Sequence, residues 1–425
     1  MGLARTTIKA IAALALFLPD LIAAGPTIQL KNRDLSFDYD AETVYGVNLG
    51  GWFVLEPWIT PSIFDEWSNG GGVVDEYTLC QTLGYDAAYS LLSEHWNSWI
   101  TQDDFNEIAA AGLNHVRIPI GYWAFTLLEG DPYVQGQLNV LDQAIGWAAG
   151  AGLKVIIDLH GAPGSQNGFD NSGRYGPILW QTGDNVPVTL NVIQSIADRY
   201  AWQSEVVTAI ELINEPFGPA LDTNQIKKFY YDGWGNIRTD NQDTAVVIHD
   251  AFEDPLDFWN GFMNIQSGVW HVILDTHCYQ IFDTNQIAFS PTEHISAACA
   301  EGNELAQLDK WTIVGEWTGA QTDCAKWLNG LGKGARYDGT FPGSSYVGSC
   351  DGKYEGTVAG LSGDDKYNLR RFIEAQLDAY ERRTGWVFWT WKTESAPEWN
   401  LQDLLANGLF PQPLSDRQYP GQCGY

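Results

Sequence analysis

Apolar positions along this chain fall into two alternating rhythms. Short, near-continuous apolar runs predict strands buried on both faces, and runs spaced three and four residues apart predict helices with one packed face. A first strand is expected from Val44, running into the Gly-rich turn at Gly50-Gly51-Trp52. Helical spacing follows through Leu91, Leu92, Trp96, Ile100, Phe105 and Ile108, which predicts one helix over 75–111. Further strands are expected at Asn114 to Ile120, Lys154 to His160, Thr244 to His249, Val269 to His277, Trp311 to Trp317 and Gly385 to Lys392. Helices are expected at 138–150, 188–203, 224–239, 291–307 and 366–382. One strand differs from the rest in how it stops. Ile210-Glu211-Leu212-Ile213 leads into Asn214-Glu215-Pro216, and Pro216 cannot donate to a ladder, so the strand ends in an amide and a carboxylate.

Eight strands with helices between most of them predict an α/β fold, a (β/α)8 TIM barrel. The alternative, an open doubly wound sheet, lacks any nucleotide-binding signal at a switch point. Segments 59–75, 161–187 and 318–365 are expected as long loops at the C-terminal face. Residues 25–43 are polar and are expected to wrap the outside, and 397–425 reads as a tail folded back on the barrel and held through Cys423. No low-complexity linker interrupts the chain, so 25–425 is expected to be a single domain.

Composition narrows the partner. The chain has 53 Asp+Glu against 23 Lys+Arg, a net charge of −30, which disfavours nucleic acid and anionic membranes. A neutral polymer meets no such penalty. Nineteen Trp and nineteen Tyr are unusual; an aromatic-rich core accounts for many of them, but exposed aromatic faces also stack on the C–H faces of sugars. Arg5, Lys9, the apolar run Ile11 to Leu18 and Ala23-Ala24-Gly25 predict a secretory signal over 1–24, which places the chain outside the cell or in the cell wall. Six cysteines in an exported chain predict disulfides, with Cys80 and Cys278 expected to be free and buried. No metal-ligand spacing, phosphate loop or glycosylation sequon occurs, so no cofactor and no metal are expected. A monomer is expected.

Active sites of such barrels lie at the C-terminal ends of the strands. Those ends carry Arg117, His160, Asn214 with Glu215, His277 with Tyr279, Glu316, and Trp389 or Trp391, with Glu56 in the first loop. Singly, each has a structural reading: an ion pair, a satisfied core histidine, a packed Trp, a strand-capping Glu. Together they form an aromatic-walled polar ring with two Glu on separate strands, as hydrolysis of a glycosidic bond requires. Glu215 is expected to have a raised pKa as the proton donor, and Glu316 to be held ionised by Arg117 as the nucleophile. Asn214 is placed to bond the sugar 2-OH.

Three longer motifs carry a resemblance. Gly46 to Trp52, Leu159 to Asp170 and Trp389 to Glu394, with Asn214-Glu215-Pro216 and Glu316, resemble the secreted fungal exo-β-1,3-glucanases of glycoside hydrolase family 5. The resemblance spans nearly all of the expected mature chain. It implies Glu215 as acid/base and Glu316 as nucleophile. It implies that Glu56, Arg117, His160, Asn214, His277, Tyr279 and a strand-eight Trp, Trp391 before Trp389, line the terminal-glucose subsite. It also implies Phe169 and Phe282 gripping the next sugar, and disulfides Cys299–Cys423 and Cys324–Cys350. The implied substrate is β-glucan, polysaccharide or oligosaccharide, cleaved from the non-reducing end with retention and open to transglucosylation. Cys278 stands where relatives often have His, and strand alternation points it away from the sugar. The competing readings are an endo-acting β-glucanase or β-mannanase on the same barrel, and a non-catalytic glucan-binding protein of the cell wall.

Overall fold

A computed structural model describes residues 35–67, 70 and 72–425. The expected signal segment lies outside the described residues. Eight parallel strands close into a barrel in sequence order: β1 (Val44–Asn48), β2 (His115–Gly121), β3 (Lys154–Gly161), β4 (Val207–Glu211), β5 (Ala245–His249), β6 (Val272–Cys278), β7 (Trp311–Trp317) and β8 (Gly385–Phe388). The ring shuts where β8 pairs with β1, with Val47 opposite Phe388.

Helices cover the outside. The β1–β2 connection holds α1 (Pro61–Phe64), α2 (Glu76–Leu83), α3 (Tyr85–Ser98) and α4 (Gln102–Ala110). The single helix expected over 75–111 is therefore three. Gly84 at φ 72° breaks it first, in a conformation that only glycine adopts readily. Thr101 and Asp104 then open α4 with a reciprocal capping box. Next come α5 (Gln137–Ala151), α6 (Asn185–Tyr200), α7 (Thr223–Asp240), α8 (Pro291–Leu305), α9 (Gly363–Tyr380) and α10 (Leu401–Ala406). Between β5 and β6 the described residues form only a π-helical turn, Pro255–Trp259, and a 3-10 turn, Ile265–Ser267.

The barrel interior is layered. At the bottom, Val44, Ile156, Ala209, Ala245, Val247, Ile273, Ile313 and Val387 form an apolar plug with Phe37 and Tyr39. Residues 25–43 were expected to be a polar outer wrap. Phe37 and Tyr39 instead close the barrel floor, with the Tyr39 hydroxyl 3.0 Å from Thr208 Oγ1. Above this plug the interior turns polar: Asn48, Arg117, Asp158, Glu211 and Asp275 are all fully buried. The C-terminal tail contains α10 and is tied to α8 by Cys299–Cys423, and Cys324–Cys350 closes part of the β7–α9 connection. Both pairings are those the resemblance implied. Cys80 is free and buried, whereas Cys278 is free and only half-buried.

Candidate active site

The site grows out of the buried charged layer. Arg117 sits at the third position of β2, not at its end, and is completely buried. Its Nε donates to Glu211 Oε2 at 2.7 Å, Nη1 to Asn48 Oδ1 at 3.0 Å and to Glu316 Oε1 at 3.1 Å, and Nη2 to Asn214 Oδ1 at 2.8 Å. Nη2 also lies 3.1 Å from Asp158 Oδ2. Burial works against this charge, but Asp158, Glu211 and Glu316 outweigh it and raise the pKa further. Every nitrogen of Arg117 is thus engaged by the protein, and it lies beneath Glu316 and Asn214.

Glu316 is the sixth residue of β7, and Tyr279 beyond β6 donates its hydroxyl to Glu316 Oε2 at 2.8 Å. Glu215 lies four residues past the end of β4, because that strand stops at Glu211 rather than running to Pro216. Leu212 and Ile213 are apolar and buried, which mimics a strand in the sequence. Glu215 adopts φ 46°, a left-handed conformation costing roughly 1–3 kcal/mol in a non-glycine residue. Its two oxygens are held from opposite sides, Oε1 by His277 Nδ1 at 2.8 Å and Oε2 by Asn171 Nδ2 at 3.0 Å.

His277 joins the two carboxylates. The nitrogen that meets Glu215 Oε1 lies 3.5 Å from Glu316 Oε2. The two carboxylate oxygens therefore come closer than the roughly 6.5 Å at which inverting pairs begin. Electrostatics here reverse the directions expected from sequence. Burial raises Glu215, but the hydrogen bond and charge of His277 and the nearby His160 bring it below its ordinary value. Glu316 is raised, because burial and the Glu215 charge outweigh His277 and Arg117. His277 itself is raised well above the usual histidine range: burial opposes its charge, but Glu316, Asp275 and Glu215 prevail. Sequence reasoning set His277 in the same ring but did not place it between Glu215 and Glu316.

The pocket wall is completed by other expected residues. His160 donates from Nδ1 to Asp158 Oδ2 at 2.6 Å, and its ring stacks on Trp389 with centroids 5.5 Å apart. Of the two Trp after strand β8, Trp389 is the one that stacks on His160. Trp391, the first expectation, points into the helix layer, where its indole N–H donates to Asp104 Oδ1 of α4 at 2.9 Å. Glu56 accepts from Trp58 Nε1 at 2.8 Å, and burial with nearby Asp170 pushes its carboxyl well above the usual range. Phe169 and Phe282 are 39% and 43% exposed, unusual for Phe and consistent with a place at the rim. Asn214 Nδ2, a donor, and His160 Nε2, the acceptor left when Nδ1–H donates to Asp158, are buried with no protein partner, as groups reserved for a ligand would be. Cys278 points to the helix side, toward Tyr380 of α9.

Sequence reasoning missed Asn171, Asp158, Glu211 and Asp275. The last three had a signal, a charge inside an apolar strand run, and Asp158 and Asp275 each precede a site histidine by two residues. Glu215, His249 and His277 come close enough together to suggest a metal site. The donor set does not fit one. His249 Nδ1 accepts from the Ala251 N–H at 2.9 Å, so Nε2 carries hydrogen and offers no lone pair.

Comparison with known proteins agrees with this geometry. Residues 80–333 match the Cellulase family, glycosyl hydrolase family 5. A glucan 1,3-beta-glucosidase of Blumeria graminis is 63% identical, covering 98% of this chain and 97% of its own. A probable glucan 1,3-beta-glucosidase A of Aspergillus niger is 54% identical, covering 98% of each. The crystal structure of a rutinosidase from Aspergillus niger shares the fold with a TM-score of 0.69 at 22% identity, over 88% of this chain and 99% of that one.

Proposed function

The chain belongs to glycosyl hydrolase family 5, and from that membership and the geometry of its site we propose that it is a retaining glucan 1,3-β-glucosidase. Its substrate is β-glucan. The observation that carries the reading is the pair Glu215 and Glu316, both within reach of one imidazole, with their oxygens closer than the separation at which inverting pairs begin. Glu316 attacks the anomeric carbon. Glu215 protonates the departing oxygen and later takes a proton from water. Arg117 and Tyr279 support the Glu316 carboxylate through 3.1 Å and 2.8 Å hydrogen bonds. Asn214 offers its free Nδ2 to the sugar, with His160, Glu56 and Trp389 beside it.

Attack is from the chain end, since the similar proteins are glucosidases and Phe169 and Phe282 stand as rim aromatics for the next sugar. Intercept of the intermediate by a second sugar gives transglucosylation. Residues 25–425 act as one secreted, monomeric domain. Among the described residues no helix is long and apolar enough to cross a membrane. Proton NMR during early digestion of laminarin tests the reading. Free β-glucose is the expected first product. Initial α-glucose overturns the retaining mechanism, and an oligosaccharide ladder overturns exo attack.

A further inference from the structure

Glu215 must release a proton to the departing oxygen; its Oε2 accepts from Asn171 Nδ2 at 3.0 Å, and its Oε1 shares a 2.8 Å hydrogen bond with His277 Nδ1. One proton therefore has two possible holders across this contact, Glu215 Oε1 and His277 Nδ1. His277 is surrounded by acceptors. Glu215 and Glu316 meet its Nδ1, and Asp275 Oδ2 lies 3.5 Å from Nε2. Its side chain is 1% exposed, so these groups rather than bulk solvent decide where its protons sit.

The other ionisable groups around it do not take the proton. His249 of β5 packs edge-on, with centroids 4.4 Å apart, and is fixed as the neutral tautomer by the Ala251 N–H. Asp250, at the end of the same strand, accepts from Thr276 Oγ1 at 2.5 Å. Arg117 is bound to Glu316 and stays charged. His160 is paired with Asp158, and the Tyr279 hydroxyl is committed to Glu316.

We propose that His277 Nδ1 is where the free enzyme keeps the proton that Glu215 delivers. This rests on the reading of Glu215 as acid/base. In the first step the Nδ1–H bond breaks and a Glu215 O–H bond forms. That proton passes to the glycosidic oxygen as its bond to C1 breaks and the bond from Glu316 to C1 forms. Glu316 loses its charge in the ester, which removes one of the anions holding the proton on His277. In the second step water adds to C1, one of its protons returns through Glu215 to Nδ1, and Glu316 leaves as the carboxylate. His277 is thus a positioning residue that stores a proton and acts through Glu215.

His277→Gln tests it with two substrates. On laminari-oligosaccharides, whose leaving oxygen needs a proton, the first step should slow at least ~100-fold, within the range of general-acid effects. On 2,4-dinitrophenyl β-glucoside, whose leaving group needs none, it should slow far less, and the basic limb of the pH profile should move. Equal losses on both substrates overturn the proposal and leave a structural role. Glu215→Gln is the control: equal losses there mean that the acid/base reading itself fails. Nitrogen-15 NMR of the wild-type histidines is independent of whether the variant folds. Both nitrogens of His277 should be protonated at about pH 6 in the free enzyme, with the pKa falling in the trapped 2-fluoroglucosyl ester. A neutral His277 in the free enzyme overturns the proposal.

Discussion

Two tryptophans separated by one residue do different work, and this separates catalysis from stability at single positions. Trp389 stacks flat on His160 at the pocket, whereas Trp391 is buried against α4 and donates to Asp104, which also binds Lys392 at 2.8 Å. Trp389→Ala should raise KM about tenfold or more, equivalent to ~1.4 kcal/mol, and, because the ring is also buried in the core, lower Tm as well. Trp391→Phe keeps the ring but deletes a charge-assisted hydrogen bond. It should cost about 1–3 kcal/mol in folding and leave kcat/KM near wild type. Steady-state kinetics beside thermal melts check both, and reversed phenotypes would reverse the assignment. The sequence could not decide between them. Alternation puts both on the same side of an ideal strand, but β8 ends at Phe388, and past that point the period of two no longer applies. The two Glu, by contrast, were legible, because a carboxylate closing an apolar run is rare enough to stand out. Asn171 was not legible. It lies in a loop whose path depends on contacts far away in sequence, such as Tyr175 N–H to Asp75 at 2.6 Å.

At the scale of elements, the strands were the most legible feature, since burial on both faces leaves apolar runs with little ambiguity. Errors fell where buried apolar residues run past the end of a strand, as at Leu212 and Ile213, or where a glycine cuts a helix, as at Gly84. One glycine inside a strand has a purpose the sequence did not show. On β7 a Cβ at Gly315 would lie 2.0 Å from Asp275 Oδ2, and the Gly315 N–H donates to Asp275 Oδ1 at 2.7 Å. The strand can approach β6 this closely only without a side chain there. Asp275 in turn faces His277 Nε2. Gly315→Ala should therefore push Asp275 aside, destabilise the fold by about 1–3 kcal/mol as overpacking does, and lower kcat. Calorimetry with kinetics checks it. A variant with lowered stability and unchanged kcat would show that Asp275 does not matter to the site.

At the scale of the whole molecule, buried carboxyls set how stability depends on pH. Burial raises Glu76 to about 8, and Asp250, Glu301 and Glu398 to about 7. These groups bind protons more tightly folded than unfolded, so their contribution is fully present below the unfolded carboxyl pKa and is lost as pH rises through the folded values. Buried histidines pull the other way. Burial lowers His95 and His294 to about 4 and His115 to about 3, so the stability they give is present above the unfolded histidine pKa and is lost as pH falls through those values. The two sets oppose each other up to about pH 6.5, the unfolded histidine value. Above it the carboxyls act unopposed, and each group still titrating removes roughly 1.4 kcal/mol per pH unit. The net charge of −30 adds self-repulsion in the same direction. Tm should fall steadily from about pH 6.5 to 8 at constant ionic strength, and a flat or rising Tm there would refute the burial argument. Glu76 isolates the effect. Its carboxyl accepts from Trp123 Nε1 and from the Leu55 N–H, both at 2.9 Å. Glu76→Gln keeps a neutral acceptor of similar size and removes the ionisation. Its Tm should therefore decline less steeply than that of the wild type between about pH 7 and 8, the window in which Glu76 itself titrates.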